Sequence, residues 1–136
     1  MTLTAKEREI LIENYLQKGI ETIDKVEFLL QNNELSLAIN RIYYGIFYTI
    51  SALAIKHKFS TSKHNQLIGW FDRNIVKEKL VDKKISKIIH KAFKDRKAGD
   101  YNVLSKFSKE EVEQSFVDMK IAINEVKKLI DKPNEG

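Results

Sequence analysis

A single proline, Pro133, and only five glycines interrupt 136 residues, so almost nothing in this chain obliges a helix to stop. The apolar residues repeat to match. Ile12, Leu16, Ile20, Ile23, Val26 and Leu30 recur at spacings of three and four, as do Val112, Phe116, Met119, Ile123, Val126 and Ile130. Each stripe follows a Ser/Thr-x-x-Glu start signal, Thr4 with Glu7 and Ser108 with Glu111, and Asn32-Asn33 closes the first. Between these framing helices the pattern predicts a central helix over about 34–56, a shorter one over about 62–75 and a basic one over about 82–99. The loops fall at Lys58 to Thr61 and Asn102 to Phe107. No alternating run of β-branched residues bounded by turns suggests a strand. The expectation is all-α: an antiparallel up-and-down helical bundle of about five helices, forming one domain over 1–136.

Two segments break the helical pattern with polar groups. In the basic helix Ile85, Ile89 and Ala92 line one face, and Arg96 falls in the middle of the same arc. Lys83, Lys84, Lys87, Lys91 and Lys94 gather on the far side, so solubility does not require Arg96. An inward guanidinium needs partners. Asp100, one turn on, is a candidate ion-pair partner, and a phosphate is another, because the planar fork matches its oxygens. In the central helix Asn40, Arg41, Tyr44, Tyr48 and Ser51 share an arc about 100° wide, while Ala38, Ile39, Ile42, Ile46, Ile50 and Leu53 cover much of the rest. That polar stripe must meet a cleft, a partner subunit or the Arg96 helix. Tyr43 and Tyr48, each taken alone, read as core fillers whose hydroxyls reach water.

The remaining chemistry is narrowed by what is missing. The chain has no cysteine, which removes disulfides, thiolate nucleophiles and cysteine-based zinc sites and suits a reducing compartment. Its three histidines, His57, His64 and His90, follow Ala54, Thr61 and Lys87 by three positions, so no Glu-x-x-His pair exists for a bundle metal site. Neither metal nor cofactor is expected. There is no phosphate-cradling glycine loop and no Gly-x-Ser-x-Gly elbow. Residues 1–7 lack a basic region followed by an apolar one, and the longest nearly apolar run, Ile42 to Ile55, is shorter than the roughly 20 residues that span a bilayer. A cytoplasmic protein away from membranes is expected. From Arg73 to Lys97 ten lysines and arginines face three acids, a local charge of +7 in a chain of +5, which suits an anionic partner.

The order of Leu37-Ala38-Ile39-Asn40-Arg41-Ile42-Tyr43-Tyr44-Gly45-Ile46-Phe47, Ser62-Lys63-His64 and Arg96-Lys97-Ala98-Gly99-Asp100-Tyr101 resembles the prokaryotic HEPN domain, above all its small stand-alone members. The resemblance spans essentially the whole chain. It implies an up-and-down helical bundle, a homodimer, a small nucleotidyltransferase as partner and a place in a toxin–antitoxin pair. Active HEPN proteins are metal-independent ribonucleases that use an Arg followed four to six residues later by His, often with a polar residue before the Arg. Asp95-Arg96 matches the first half, but Tyr101 stands where the histidine is expected and no histidine follows. Metal-free RNA cleavage needs a group that exchanges protons near neutral pH, which a phenol of pKa about 10 does poorly. The sequence therefore points to a module that binds nucleotide or RNA phosphates through Asn40, Arg41, Tyr44, Arg96, Asp100 and Tyr101. The alternatives are an endoribonuclease using Arg96 with Tyr101 or His64, and a purely structural interaction module. His64 serves as base only if the fold, or a second subunit, brings it to Arg96.

Overall fold

The computed structural model describes residues 2–101 and 106–133, except for the side chains of residues 100 and 101. Five α-helices occupy this span: α1 (Ala5–Gln31), α2 (Leu35–Lys56), α3 (His64–Phe71), α4 (Lys83–Tyr101) and α5 (Lys109–Asp131). A π-helical turn, Asp72–Val76, continues α3, and no strand occurs among the described residues. The all-α bundle expected from the apolar stripes is the fold observed. At the start of α1 Thr4 Oγ1 accepts from the Glu7 amide and Glu7 Oε1 accepts from the Thr4 amide, completing the box that the sequence suggests. Ser108 caps α5 in the same way on one side, accepting from the Glu111 amide. The α5 stripe from Val112 to Ile130 is buried throughout.

The helix α2 lies at the centre and touches α1, α3, α4 and α5. Its approach to α1 is set by small residues. A Cβ on Gly19 would sit 2.2 Å from Thr49 Oγ1, and one on Gly45 would sit 2.1 Å from Thr22 Oγ1 and 2.4 Å from Met119 Cε. Each threonine satisfies its own hydroxyl locally, Thr22 donating to the Gly19 carbonyl at 2.5 Å and Thr49 to the Gly45 carbonyl at 2.8 Å. Buried hydroxyls left without such partners would oppose the crossing. The α1 stripe read from the sequence is therefore incomplete: Gly19 and Thr22 are buried within it, whereas Ile12, Leu16, Ile20 and Ile23 are only half-buried.

Helices end here without glycine. Asn33, Lys58 and Lys79 take left-handed backbone angles, with φ of 56°, 62° and 61°. Each is followed by an amide that reaches back five residues, from Glu34 to the Leu29 carbonyl, Phe59 to Ala54 and Leu80 to Ile75. This hydrogen-bonded stop satisfies carbonyls that a helix end would leave open. The helix expected over about 62–75 is also divided. After Phe71 the backbone widens into the π turn, and Asp72 leaves the helix surface to accept from Ser86 Oγ at 2.7 Å and to pair with His90 Nε2 at 2.7 Å, both on α4. Ile85, Ile89 and Ala92 face the core, while the lysines Lys83, Lys84, Lys87, Lys91 and Lys94 face solvent as their spacing requires. At the far end Lys56 Nζ donates to the carbonyls of Leu129, Ile130 and Lys132, closing the C-terminus of α5.

Candidate functional site

The polar arc of α2 meets α4 and the start of α3. Arg96 comes inward from α4 as its position among Ile85, Ile89 and Ala92 requires, and its guanidinium carbon lies 5.5 Å from the ring centres of both Tyr43 and Tyr44. Arg96 Nη2 donates to the Tyr44 hydroxyl at 3.3 Å. A second guanidinium, Arg41, lies 4.9 Å from the Tyr44 ring centre and is held by Asn40 Oδ1, which accepts from Arg41 Nε at 3.2 Å and Nη2 at 2.8 Å. Two half-buried cations thus share one phenol ring, an arrangement favoured by cation–π attraction and well suited to an anion.

The fold also brings His64 to this place. Its Nδ1 lies 2.6 Å from the hydroxyl of Tyr43, and its ring packs 5.3 Å from Tyr43, 4.5 Å from Phe47 and 6.1 Å from Tyr44, centre to centre. Lys63, His64, Asn65 and Gln66 at the head of α3 and Phe93, Arg96 and Lys97 on α4 line one open cleft. Burial, and then the Arg96 charge, hold the His64 imidazole below its ordinary pKa of 6.5, so it is neutral near pH 7. Burial pushes the Tyr43 phenol up, against the opposing pull of Arg96. Tyr43 therefore keeps its proton and can either donate to His64 Nδ1 or accept from it. The imidazole is free to present either tautomer toward the cleft.

Tyr43 is 1% exposed. Its ring fills the core as expected, but its hydroxyl meets His64, which corrects the expectation that it reaches water. Nothing local in the sequence signals the contact, because Tyr43 and His64 are 21 residues apart and meet only through packing. Of the residues picked from sequence, Arg96 and Tyr44 touch directly, Arg41 and Asn40 join them through the Tyr44 ring, and His64 shares the cleft with Arg96. The side chains of Asp100 and Tyr101 lie outside the described residues, as does most of the loop expected after them, residues 102–105. Arg41 also lines a separate groove with Asp24, Lys25, Phe28 and Leu29, so part of its surface turns away from the cleft. His57 is the C-terminal cap of α2 and packs near Trp70, and His90 pairs with Asp72; neither joins the site.

Among the described residues no three acidic or histidine side chains gather as metal ligands, and no helix is long and apolar enough to cross a membrane. The chain is similar to several known proteins. A protein of Thermotoga maritima described as a UPF0332 protein is 36% identical over 125 residues, covering 92% of this chain and 95% of that protein. Two Methanocaldococcus jannaschii proteins, each named "Putative toxin" (MJ0142 and MJ0605), are 26% and 25% identical over 123 and 119 residues. These alignments cover 90% and 88% of this chain, and 84% and 88% of the two relatives. The model of the HEPN domain matches residues 12–129, which include every helix that builds the cleft, and the chain belongs to the HEPN domain family.

Proposed function

We propose that this chain is a toxin-like HEPN protein that binds RNA phosphates at Arg96 and cleaves the backbone with His64 as the proton-transfer group. The observation that carries this reading is the position of His64, in the same cleft as Arg96 and oriented by Tyr43. Tyr101 occupies the place of the expected histidine in sequence; His64 supplies an imidazole in space. Arg96, with Tyr44 behind it, stabilises charge on the non-bridging phosphate oxygens. A neutral His64 takes the proton of the ribose 2′-hydroxyl as its oxygen attacks phosphorus. The O2′–P bond forms, the P–O5′ bond breaks, and the 5′-oxygen leaves with a proton returned by the imidazolium. The Tyr43 oxygen accepts from His64 Nδ1–H in both the neutral and the charged imidazole, which leaves Nε2 to take up and return the proton. The names of the two Methanocaldococcus relatives support a toxin-like role.

The test is cleavage of single-stranded RNA in EDTA. Wild-type protein is expected to leave 2′,3′-cyclic phosphate ends. Arg96→Ala should weaken both binding and cleavage, whereas His64→Asn should retain binding and reduce cleavage by at least about a hundredfold, the usual contribution of a general base. Binding without cleavage by the wild-type protein, abolished in Arg96→Ala, would instead favour the pure phosphate-binding module, and intact binding in Arg96→Ala would overturn both. A homodimer and a small nucleotidyltransferase partner in a cytoplasmic toxin–antitoxin pair complete the proposal. Light scattering and co-purification with the product of a neighbouring gene examine these directly.

A further inference from the structure

The ring of His64 has a second side. Behind it lies another cavity of about 410 Å³, within the roughly 300–1,000 Å³ typical of small-molecule sites. His64 is the wall that it shares with the Arg96 cleft. Its other walls include Tyr15 and Lys18 from α1, Tyr48 and Ser51 from α2, and Ser62 from the loop before α3. The Tyr15 and Tyr48 rings lie 6.3 Å apart at an angle of 39°, too inclined for a planar group to slide between them. Lys18 Nζ sits 5.8 and 5.6 Å from their centres. Ser51 is 8% exposed and lines this cavity from the polar arc of α2.

We infer that this cavity is a nucleobase subsite for the nucleotide whose phosphate sits at Arg96, an inference that rests on the function proposed above. Aromatic walls supply stacking, which every base can use. Lys18 offers donors to ring carbonyls or nitrogens, and the serine hydroxyls donate or accept along the base edge. A purely aliphatic ligand would leave those groups unpaired. The two cavities share the His64 imidazole as a wall, so a base in one and a phosphate in the other would flank the group proposed to act on the ribose.

Fluorescence anisotropy with two short probes tests the inference: an oligouridylate, and a ribose-phosphate oligomer of the same length without bases. The oligouridylate should bind about tenfold more tightly, the order of one stacked base. Ser51→Leu, which fills the cavity, should erase that difference while leaving binding of the baseless oligomer unchanged. Tyr15→Leu, at the outer wall, should do the same and provides a check should Ser51→Leu fail to fold, as judged by circular dichroism. Arg96→Ala should weaken both probes. Equal binding of the two probes by wild-type protein, or persistence of the difference in both subsite variants, would overturn the subsite and leave the phosphate reading standing. Failure of both probes to bind would overturn the phosphate reading and the subsite with it.

Discussion

Tyr43 does two jobs with one side chain, which makes it the residue whose chemistry is easiest to separate. Its ring fills the core between α2, α3 and α4, packing 5.6 Å from Phe93, and its hydroxyl holds His64. Tyr43→Phe keeps the ring and removes only the oxygen. Chemical denaturation should show a loss of about 1 kcal/mol, the net worth of one hydrogen bond. On the proposed function, cleavage should fall more than RNA binding, because Arg96 keeps its place while the imidazole loses its orientation. The histidines also give stability a pH dependence with a defined sign. Burial comes first in lowering both His64 and His57, with the charges of Arg96 and Lys56 next for each. The folded state therefore binds fewer protons than the unfolded state. Stability from these groups is fully present above the ordinary histidine pKa of 6.5 and declines as pH falls through their lowered values. Thermal melts from pH 8 to pH 5 should show that decline, and His64→Asn should reduce it. A melting temperature flat over this range would contradict the linkage.

The element that holds this site in place is the close crossing of α1 and α2, and its weak point is Gly45, next to Tyr44 in sequence. A methyl group there meets Thr22 Oγ1 and Met119 Cε at once, and Thr22 Cβ lies 3.2 Å away, so the methionine can yield but the buried threonine cannot easily do so. Gly45→Ala should cost about 2 kcal/mol or more, in the range of overpacked cores, even though alanine is the better helix former. Urea unfolding measures the cost; a stabilised variant would show that the helices separate freely. The crossing should also transmit the damage to the cleft, because the Tyr43 and Tyr44 rings ride on the same turn of α2. The helix stops call for the opposite substitution. Lys58 and Lys79 hold left-handed angles that glycine adopts without steric penalty. Lys58→Gly should therefore be neutral to stabilising, by up to about 1 kcal/mol, although it sits only a few residues before the His64 segment.

For the whole molecule, helix count and order were legible because stripe, cap and breaker all agree at Thr4, Asn32-Asn33 and Ser108, and the inward direction of Arg96 was legible because the lysines already fill the solvent face of its helix. The π turn at Asp72 was not legible, since it depends on Ser86 and His90 arriving from another helix, and neither was the Tyr43–His64 pair, since side-chain periodicity says nothing of contacts between helices. The lysines of α4 raise the last question, whether the +7 segment binds RNA or merely keeps a helix in water. Lys63 and Lys97 line the cleft itself; Lys84 and Lys87 lie on the solvent face of α4. A helix with its side chains is about 10 Å across, and charges separated by more than about 8 Å are largely screened at physiological salt. Lys63→Glu with Lys97→Glu should therefore weaken RNA binding at 0.15 M salt and flatten its salt dependence by about 0.7 in log–log slope for each single-strand phosphate that is no longer neutralised. Lys84→Glu with Lys87→Glu should change equilibrium binding less than about twofold at that ionic strength and slow association only at low salt, where steering reaches further. The Lys84 and Lys87 variant should melt as the wild type does, because exposed substitutions away from packed features change stability by about 0.5 kcal/mol or less, whereas the Lys63 and Lys97 variant also loses the contact of Lys97 with the Phe93 ring, worth about 0.5–1 kcal/mol. Anisotropy titrations and stopped-flow association at two salt concentrations distinguish the pairs, and equal weakening by both would place the RNA path across the outer face of α4.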